Sequence, residues 1–229
     1  MKKILSMILV LCMALTLCSA AFAEGKSPVD GMTVAFIPKV SGNSFFEAAN
    51  DGAQKYAEKW GLKVDYIGAP TADVTTQLEL IQQAIDKGVD AICISSVDAT
   101  GLDEKLQEAQ DAGIYVSTWD SDVSPNARAL MVSQGTASVL GPMLVEMAVD
   151  SLKERGVDVN GEVKYVWHFS NPSVSDQNSW YVAGDEYIKE KYPSWVAVNE
   201  PYYSNQDPAQ SVSVGESILD AYADVDVII

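Results

Sequence analysis

The 229-residue sequence predicts an α/β protein built on parallel, doubly wound sheets. Two observations carry that prediction. Apolar runs rich in Val, Ile and aromatics alternate with stretches of helical period, and little else intervenes. Short polar strings also stand downstream of three of these runs: Ile37-Pro38-Lys39, Trp119-Asp120-Ser121-Asp122 and Ser175-Asp176-Gln177-Asn178. In open α/β sheets, ligands bind in the crevice beyond the carboxyl ends of the strands. A lysine, an aspartate and an Asp–Gln pair arriving there suit a polyol or sugar-like ligand gripped by many hydrogen bonds.

The elements follow in order. Strand one runs from Thr33 to Pro38. A helix follows from Ser44 to Lys59, with Asn43 or Ser44 as N-cap, Gly61 as the stop, and Phe45, Ala49, Ala53 and Tyr56 recurring at threes and fours. Leu62 to Ile67 reads as strand two. The next helix spans Asp73 to Lys87, places Leu78, Ile81 and Ile85 on one stripe and closes at Gly88. Asp90 to Ser95 is strand three, Gly101 to Ala112 a third helix, and Ile114 to Thr118 strand four. The chain turns at Ser124-Pro125-Asn126, and Ala129 to Ser133 forms a further strand. A long helix from Val139 to Lys153 leads to Gly156. Strand Val163 to Phe169, a helix from Gln177 to Lys191, strand Trp195 to Asn199, a helix from Pro208 to Tyr222 and a last strand from Val225 to Ile229 complete the series. What recurs is the βα unit, which implies parallel sheets covered by helices on both faces.

The first 23 residues read as a signal peptide. Lys2 and Lys3 form a basic start, an apolar stretch runs from Ile4 to Ala20, and Ala21-Phe22-Ala23 is a small-x-small cleavage site. That stretch is at the short end for a membrane span, so export to the periplasm or cell surface is expected. Leu15-Thr16-Leu17-Cys18 approaches a lipoprotein box but puts bulky Leu17 where a small residue belongs, which leaves lipid anchoring as the alternative. Cleavage removes Cys12 and Cys18, so Cys93, read as a small buried hydrophobe in strand three, can form no intramolecular disulfide. The formal charge moves from −17 to −19, because 13 basic residues then face 32 acidic ones. Such a chain disfavours nucleic acid and anionic membranes as partners. Asp226-Val227-Ile228-Ile229 reads as the interior of a buried strand with no helix after it, so truncation at the C-terminus is expected.

An exported α/β chain with Phe36-Ile37-Pro38-Lys39 near its mature start resembles the type I periplasmic binding proteins, the ribose-binding-like solute receptors of ABC importers. Phe45-Phe46, Thr118 to Asp122, Gln134-Gly135-Thr136, Leu144 to Ala148 and Asp176-Gln177-Asn178 narrow the resemblance to the Lsr-type autoinducer-2 receptors, over Met32 to Ile229. The resemblance implies a two-lobed fold: an N-terminal lobe over residues 24–122, a crossover at 123–133 and an incomplete C-terminal lobe at 134–229. It implies that Lys39, Asp120, Asp176 and Gln177 hold the ligand's hydroxyls. It also implies contacts from a Pro-x-Ala segment after the last strand, beyond this sequence. Sister receptors for rhamnose share the lysine and the Trp-Asp-Ser-Asp string, so Asp176-Gln177 carries most of the discrimination.

Elementary chemistry fits these roles. A carboxylate accepts from two vicinal hydroxyls at once through charge-assisted bonds, Lys39 donates, and Gln177 offers both a donor and an acceptor. Phe45, Phe46 and Trp180 are candidates to line the pocket. Blander readings stand beside them. One of the two phenylalanines packs in the core, Trp119 packs, Asp122 caps the turn toward Pro125, and His168 is a satisfied structural residue.

The expected function is a receptor that captures a small polyhydroxylated ligand, autoinducer-2, between two lobes and delivers it to the membrane subunits of an ABC importer. Rhamnose or another monosaccharide is the alternative ligand, and a chemotaxis or sensor receptor an alternative partner. A carbohydrate-active enzyme using Asp120 and Asp176 is the remaining alternative. Against it, the sequence holds no nucleophile elbow, phosphate loop, metal-ligand cluster or dinucleotide fingerprint. No catalytic set, metal or cofactor is expected.

Overall fold

The computed structural model describes residues 27–229. The expected signal peptide, with Cys12 and Cys18, lies outside them. The first half alternates β1 (Thr33–Ile37), α1 (Ser44–Trp60), β2 (Lys63–Tyr66), α2 (Val74–Lys87), β3 (Ala91–Ile94), α3 (Asp103–Asp111) and β4 (Tyr115–Trp119). A 3₁₀ turn at Pro125–Ala127 leads to β5 (Leu130–Val132). These strands form one parallel sheet of order β2-β1-β3-β4-β5. Residues 123–133, expected as the crossover, thus include the strand that closes this sheet, and the chain leaves for the second half after it.

Local chemistry sets the ends of the helices. Asn43 caps α1 by accepting from the Phe45 N–H at 3.0 Å, and Asp73 caps α2 by accepting from the Thr76 N–H at 2.8 Å. Gly61 follows α1 at φ 74°, in the left-handed region that glycine enters most readily. Strand alternation then sorts the core. Ala35, Ile37, Ile92, Ile94 and Val116 pack against Ile81 and Ala84 of α2 and Leu102, Leu106 and Ala109. Phe36 and Trp119 face the other way, onto Phe46, Ala49 and Ala53 of α1. Cys93 is partly buried against this second cluster, and burial raises its thiol pKa. On α2 the buried stripe is Gln77, Ile81 and Ala84; Leu78 and Ile85, expected on it, flank it half-buried.

The second half holds α4 (Ala137–Glu154), β6 (Lys164–Val166), β7 (His168–Phe169), α5 (Ser175–Lys191), β8 (Val196–Ala197), β9 (Tyr202–Tyr203), α6 (Pro208–Ala221) and β10 (Val227–Ile228). Its strands form a sheet of order β10-β6-β8 and a separate pair β7-β9, all parallel. No strand pairing among the described residues joins the two halves.

The sequence reads Val163 to Phe169 as one strand and leaves Tyr202-Tyr203 outside any strand; the structure differs on both. The interruption lies in the strand beside it. That strand runs along β6 as far as Val198, whose N–H donates to the Tyr165 carbonyl at 2.9 Å, leaves through residues 199–201, where Pro201 has no N–H, and rejoins at Tyr202, whose N–H donates to the Trp167 carbonyl at 2.9 Å. α4 and α5 pack so closely that a Cβ on Gly141 would stand 2.5 Å from the Trp180 carbonyl oxygen. Val145, Val149 and Leu152 of α4 join Ile188 of α5 and Tyr165 and Trp167 in the second core.

Candidate functional site

Lys39 lies two residues beyond β1, after Pro38, and its ammonium is the centre of a buried cluster. Nζ is 2.9 Å from Asp120 Oδ2 and 3.0 Å from Asp176 Oδ2. The three residues are 2%, 7% and 8% exposed, so these contacts are little screened by water. Asp120 directly follows β4 at φ 61°, a strained conformation for a residue with a side chain, and its N–H is tied to the Val132 carbonyl at 3.0 Å. Asp176 stands in the first turn of α5, where the helix dipole favours a carboxylate.

Neighbours complete both carboxylates. Ser95 Oγ donates to Asp120 Oδ2 at 2.7 Å and Gln134 Nε2 to Oδ1 at 2.8 Å. Ser121 Oγ donates to Asp176 Oδ1 at 2.5 Å. Burial opposes ionisation of Asp176, but the Lys39 charge, with bonds from Ser121, Lys39 and the Gln177 backbone, outweighs it and holds the carboxyl below the usual aspartate range. Asp120 accepts two hydrogen bonds besides its ion pair with Lys39, and Asp176 accepts three hydrogen bonds, counting that backbone bond. A carboxylate has about four acceptor positions, so each keeps one. One ammonium against two carboxylates leaves the cluster one charge negative.

Gln177 Oε1 accepts from the Ser170 N–H at 2.9 Å, which fixes the side chain and takes up one of the oxygen's two acceptor positions. Lys39, Phe45, Phe46, Asp120, Asp176, Gln177 and Trp180 line one cleft of about 380 Å³, together with Asn43, Gln134 and Gln206. The structure therefore brings together every candidate site residue of the sequence. Phe46 is 3% exposed and Phe45 52%, so one packs and the other stands open. Trp119 packs, stacked on Phe36 with ring centroids 4.7 Å apart.

The Asp122 carboxylate does more than hold the turn: besides a backbone bond from Val123 it pairs with Arg128 at 2.7 Å and accepts from Thr118 Oγ1 at 2.6 Å. One reading is corrected. His168 is not satisfied: its Nε2 is buried with no hydrogen-bond partner among the described residues, and burial lowers its pKa.

Ser95, Ser121, Gln134, Gln77 and Gln206 had no assigned role in the sequence reading. Gln77 is the most consequential for positioning. From α2 its Nε2 donates to the carbonyls of Pro38 at 3.0 Å and Ser95 at 2.8 Å, and its Oε1 accepts from the Val97 N–H at 3.0 Å. It therefore clamps the two loops that carry Lys39 and Ser95. Its signal was present, as the polar member of an otherwise apolar helical stripe. The two halves also touch directly beside the cluster. Ser175 Oγ donates to the Asp122 carbonyl at 3.0 Å and accepts from the Asp122 N–H at 2.8 Å, and the Ala99 N–H donates to the Ser173 carbonyl at 3.0 Å.

Parallel sheets in two halves, with a polar, charge-paired cleft beyond their strand ends, define a solute-binding architecture. The chain belongs to the periplasmic binding protein domain family, which matches residues 34–229. Among solved structures it is similar to LsrB from Clostridium saccharobutylicum in complex with AI-2 (autoinducer-2), at 57% identity and a TM-score of 0.85, covering 86% of this chain and 61% of that one. It is also similar to an ABC transporter solute-binding protein from Clostridium phytofermentas with bound L-rhamnose, at 26% identity and a TM-score of 0.78, covering 86% and 59%. A D-ribose/D-allose-binding protein of Pseudomonas aeruginosa is 28% identical over 132 residues, 55% of this chain and 41% of that protein. The chain thus spans between 41% and 61% of these relatives' own lengths. Two of these relatives are binding proteins by name, for a ribose or allose and for a transported solute. The family is one of exported proteins, and no described helix is long and apolar enough to cross a membrane.

Proposed function

We propose that the protein is an exported receptor that captures autoinducer-2 between its two halves and delivers it to the membrane subunits of an ABC importer. The observation that carries the proposal is the Lys39 ammonium held between Asp120 of the first half and Asp176 of the second. A polyhydroxylated solute entering there takes the acceptor position left on each carboxylate and a donor from Lys39, and so bridges the halves through charge-assisted bonds. The contact between Lys39 and Asp176 is what a solute replaces, and hinge closure around it is the motion such architectures use. A net negative cluster favours neutral polyols and disfavours phosphorylated ones. The 57%-identical neighbour carrying AI-2 supports this ligand.

L-Rhamnose is the second reading, favoured by the neighbour that holds it. Isothermal titration calorimetry of purified protein with autoinducer-2 in borate-free buffer, L-rhamnose and D-ribose separates the two. The proposal expects tight binding of autoinducer-2 alone. Tight rhamnose binding with none for autoinducer-2 overturns the ligand and keeps the receptor reading.

A further inference from the structure

Five buried side-chain polar atoms among the described residues lack a hydrogen-bond partner, and Gln206 Nε2 is one of them. His168 Nε2 and Ser170 Oγ, two others, share with Gln206 a cavity of about 510 Å³ at the ends of β7 and β9. Of these three, Gln206 alone also lines the cleft of Lys39, Asp120 and Asp176. It further borders a cavity of about 330 Å³ formed with Val40–Asn43 and Pro70–Ala72 of the first half. Gln206 thus stands at the junction of the ligand cleft with two neighbouring cavities.

The loop that presents it is held in a costly shape. Asn205 and Gln206 are successive non-glycine residues in the left-handed region, at φ 51° and 64°. Backbone bonds fix them: Ser204 N–H to the Phe169 carbonyl at 3.0 Å, Asn205 N–H to the Ser170 carbonyl at 2.8 Å and Asp207 N–H to the Ser204 carbonyl at 2.9 Å. Asp207 then caps α6, accepting from the N–H groups of Ala209 and Gln210 at 2.8 and 3.0 Å. Among residues 204–207, the Gln206 amide nitrogen is the one buried side-chain polar atom without a hydrogen-bond partner. A buried donor without a partner costs stability, and a strained loop that directs one into a cleft calls for an acceptor from outside the chain.

We infer that Gln206 is a specificity-determining residue, whose side-chain amide hydrogen-bonds a hydroxyl, ring or carbonyl oxygen of the bound solute. The inference rests on the proposed function and adds to it. Gln206 is uncharged, so it recognises where an oxygen lies rather than the solute's charge. A solute with no oxygen at that point leaves the donor buried and unpaired, and is rejected on that ground.

The test is calorimetric titration of autoinducer-2, in borate-free buffer, into wild-type, Gln206→Gly, Gln206→Asn and Asp120→Ala protein. Glycine adopts the left-handed conformation freely, so it deletes the amide without straining the loop. Asparagine also tolerates that conformation but holds its amide one methylene short. Both Gln206 variants are expected to weaken binding about 3- to 10-fold, the range for one neutral hydrogen bond. Gln206→Gly should melt no lower than wild type. Asp120→Ala is expected to weaken binding more than either. Affinities of both Gln206 variants within about twofold of wild type overturn the inference while Asp120→Ala keeps the functional reading alive. Weakening in Gln206→Gly but not in Gln206→Asn assigns the effect to loop conformation and also overturns it. A wild-type protein that binds neither autoinducer-2, L-rhamnose nor D-ribose overturns the functional reading and this inference together.

Discussion

Replacing Lys39 by Met keeps the length and apolar stem of the side chain and removes the one positive charge of the buried cluster. Asp120 and Asp176, both under a tenth exposed, then keep donors from Ser95, Gln134 and Ser121 but face each other without a cation. Stripping one partner from a buried ion pair costs about 3–5 kcal/mol. Here one cation serves two carboxylates at 2.9 and 3.0 Å, so the upper part of that range applies. For a chain of this size each kcal/mol lowers the melting temperature by about 2–4 °C, so Lys39→Met is expected to melt roughly 8–20 °C below wild type at pH 7. Asp176→Asn is the contrast. It leaves Lys39 paired with Asp120 and an oxygen for the Ser121 hydroxyl, so its cost is about 1–2 kcal/mol. Without the cation Asp176 loses the charge that holds its pKa down and takes up a proton more readily, and protonation relieves the repulsion. The Lys39→Met deficit should therefore shrink between pH 7 and pH 5 while wild type changes little. Thermal melts of both variants at the two pH values check this. Equal losses for the two variants, or a Lys39→Met deficit unchanged at pH 5, would refute the charge arrangement.

The acid limb of wild-type stability follows from Asp176. Its folded pKa lies below the unfolded value of about 3.9, so its contribution is complete above that pH and is lost only as pH falls through the folded value. Denaturant titrations should show Asp176→Asn losing part of the drop that wild type shows below about pH 4. Gln77→Leu orphans the carbonyls of Pro38 and Ser95 and the Val97 N–H, so chemical unfolding should report a loss of at least about 3 kcal/mol. Gly141→Ala drives a Cβ to 2.5 Å from the Trp180 carbonyl oxygen and 2.6 Å from the Gly184 nitrogen, and thermal melts should show a cost of about 1–3 kcal/mol. Gly215→Ala, with nothing within 4 Å of the new Cβ on α6, should instead stabilise by about 0.4–1 kcal/mol.

Lys39, Asp120, Asp176 and Gln177 were legible because their polar strings follow apolar runs, where parallel sheets open their crevice, and because the family resemblance marks those positions. The cap at Asn43 and the stops at Gly61 and Gly88 were legible because local side-chain and backbone chemistry decides them, while Asp73, read as the first helical residue, is instead the cap, one position before the helix. Gln77 was harder, because a polar residue on an apolar stripe looks like an imperfect helix until its three backbone partners come from distant loops. Gln206 gave no signal. Its placement depends on two left-handed residues held by carbonyls of Phe169 and Ser170, more than thirty residues upstream. The break at Trp167 was hidden for a related reason. Val163 to Phe169 reads as one continuous strand, and the interruption lies in the strand beside it, at residues 199–201.

The central claim is that a solute is held at the buried Lys39–Asp120–Asp176 cluster, and calorimetry on charge-removed variants tests it most directly. Truncating one partner of a buried, hydrogen-bonded charge costs about 2–5 kcal/mol of binding. Asp120→Ala and Asp176→Ala are therefore expected to weaken autoinducer-2 binding by roughly 30-fold to several thousand-fold, while Glu104→Ala, on α3 and outside the cleft, changes little. Affinity unchanged in both aspartate variants contradicts the claim.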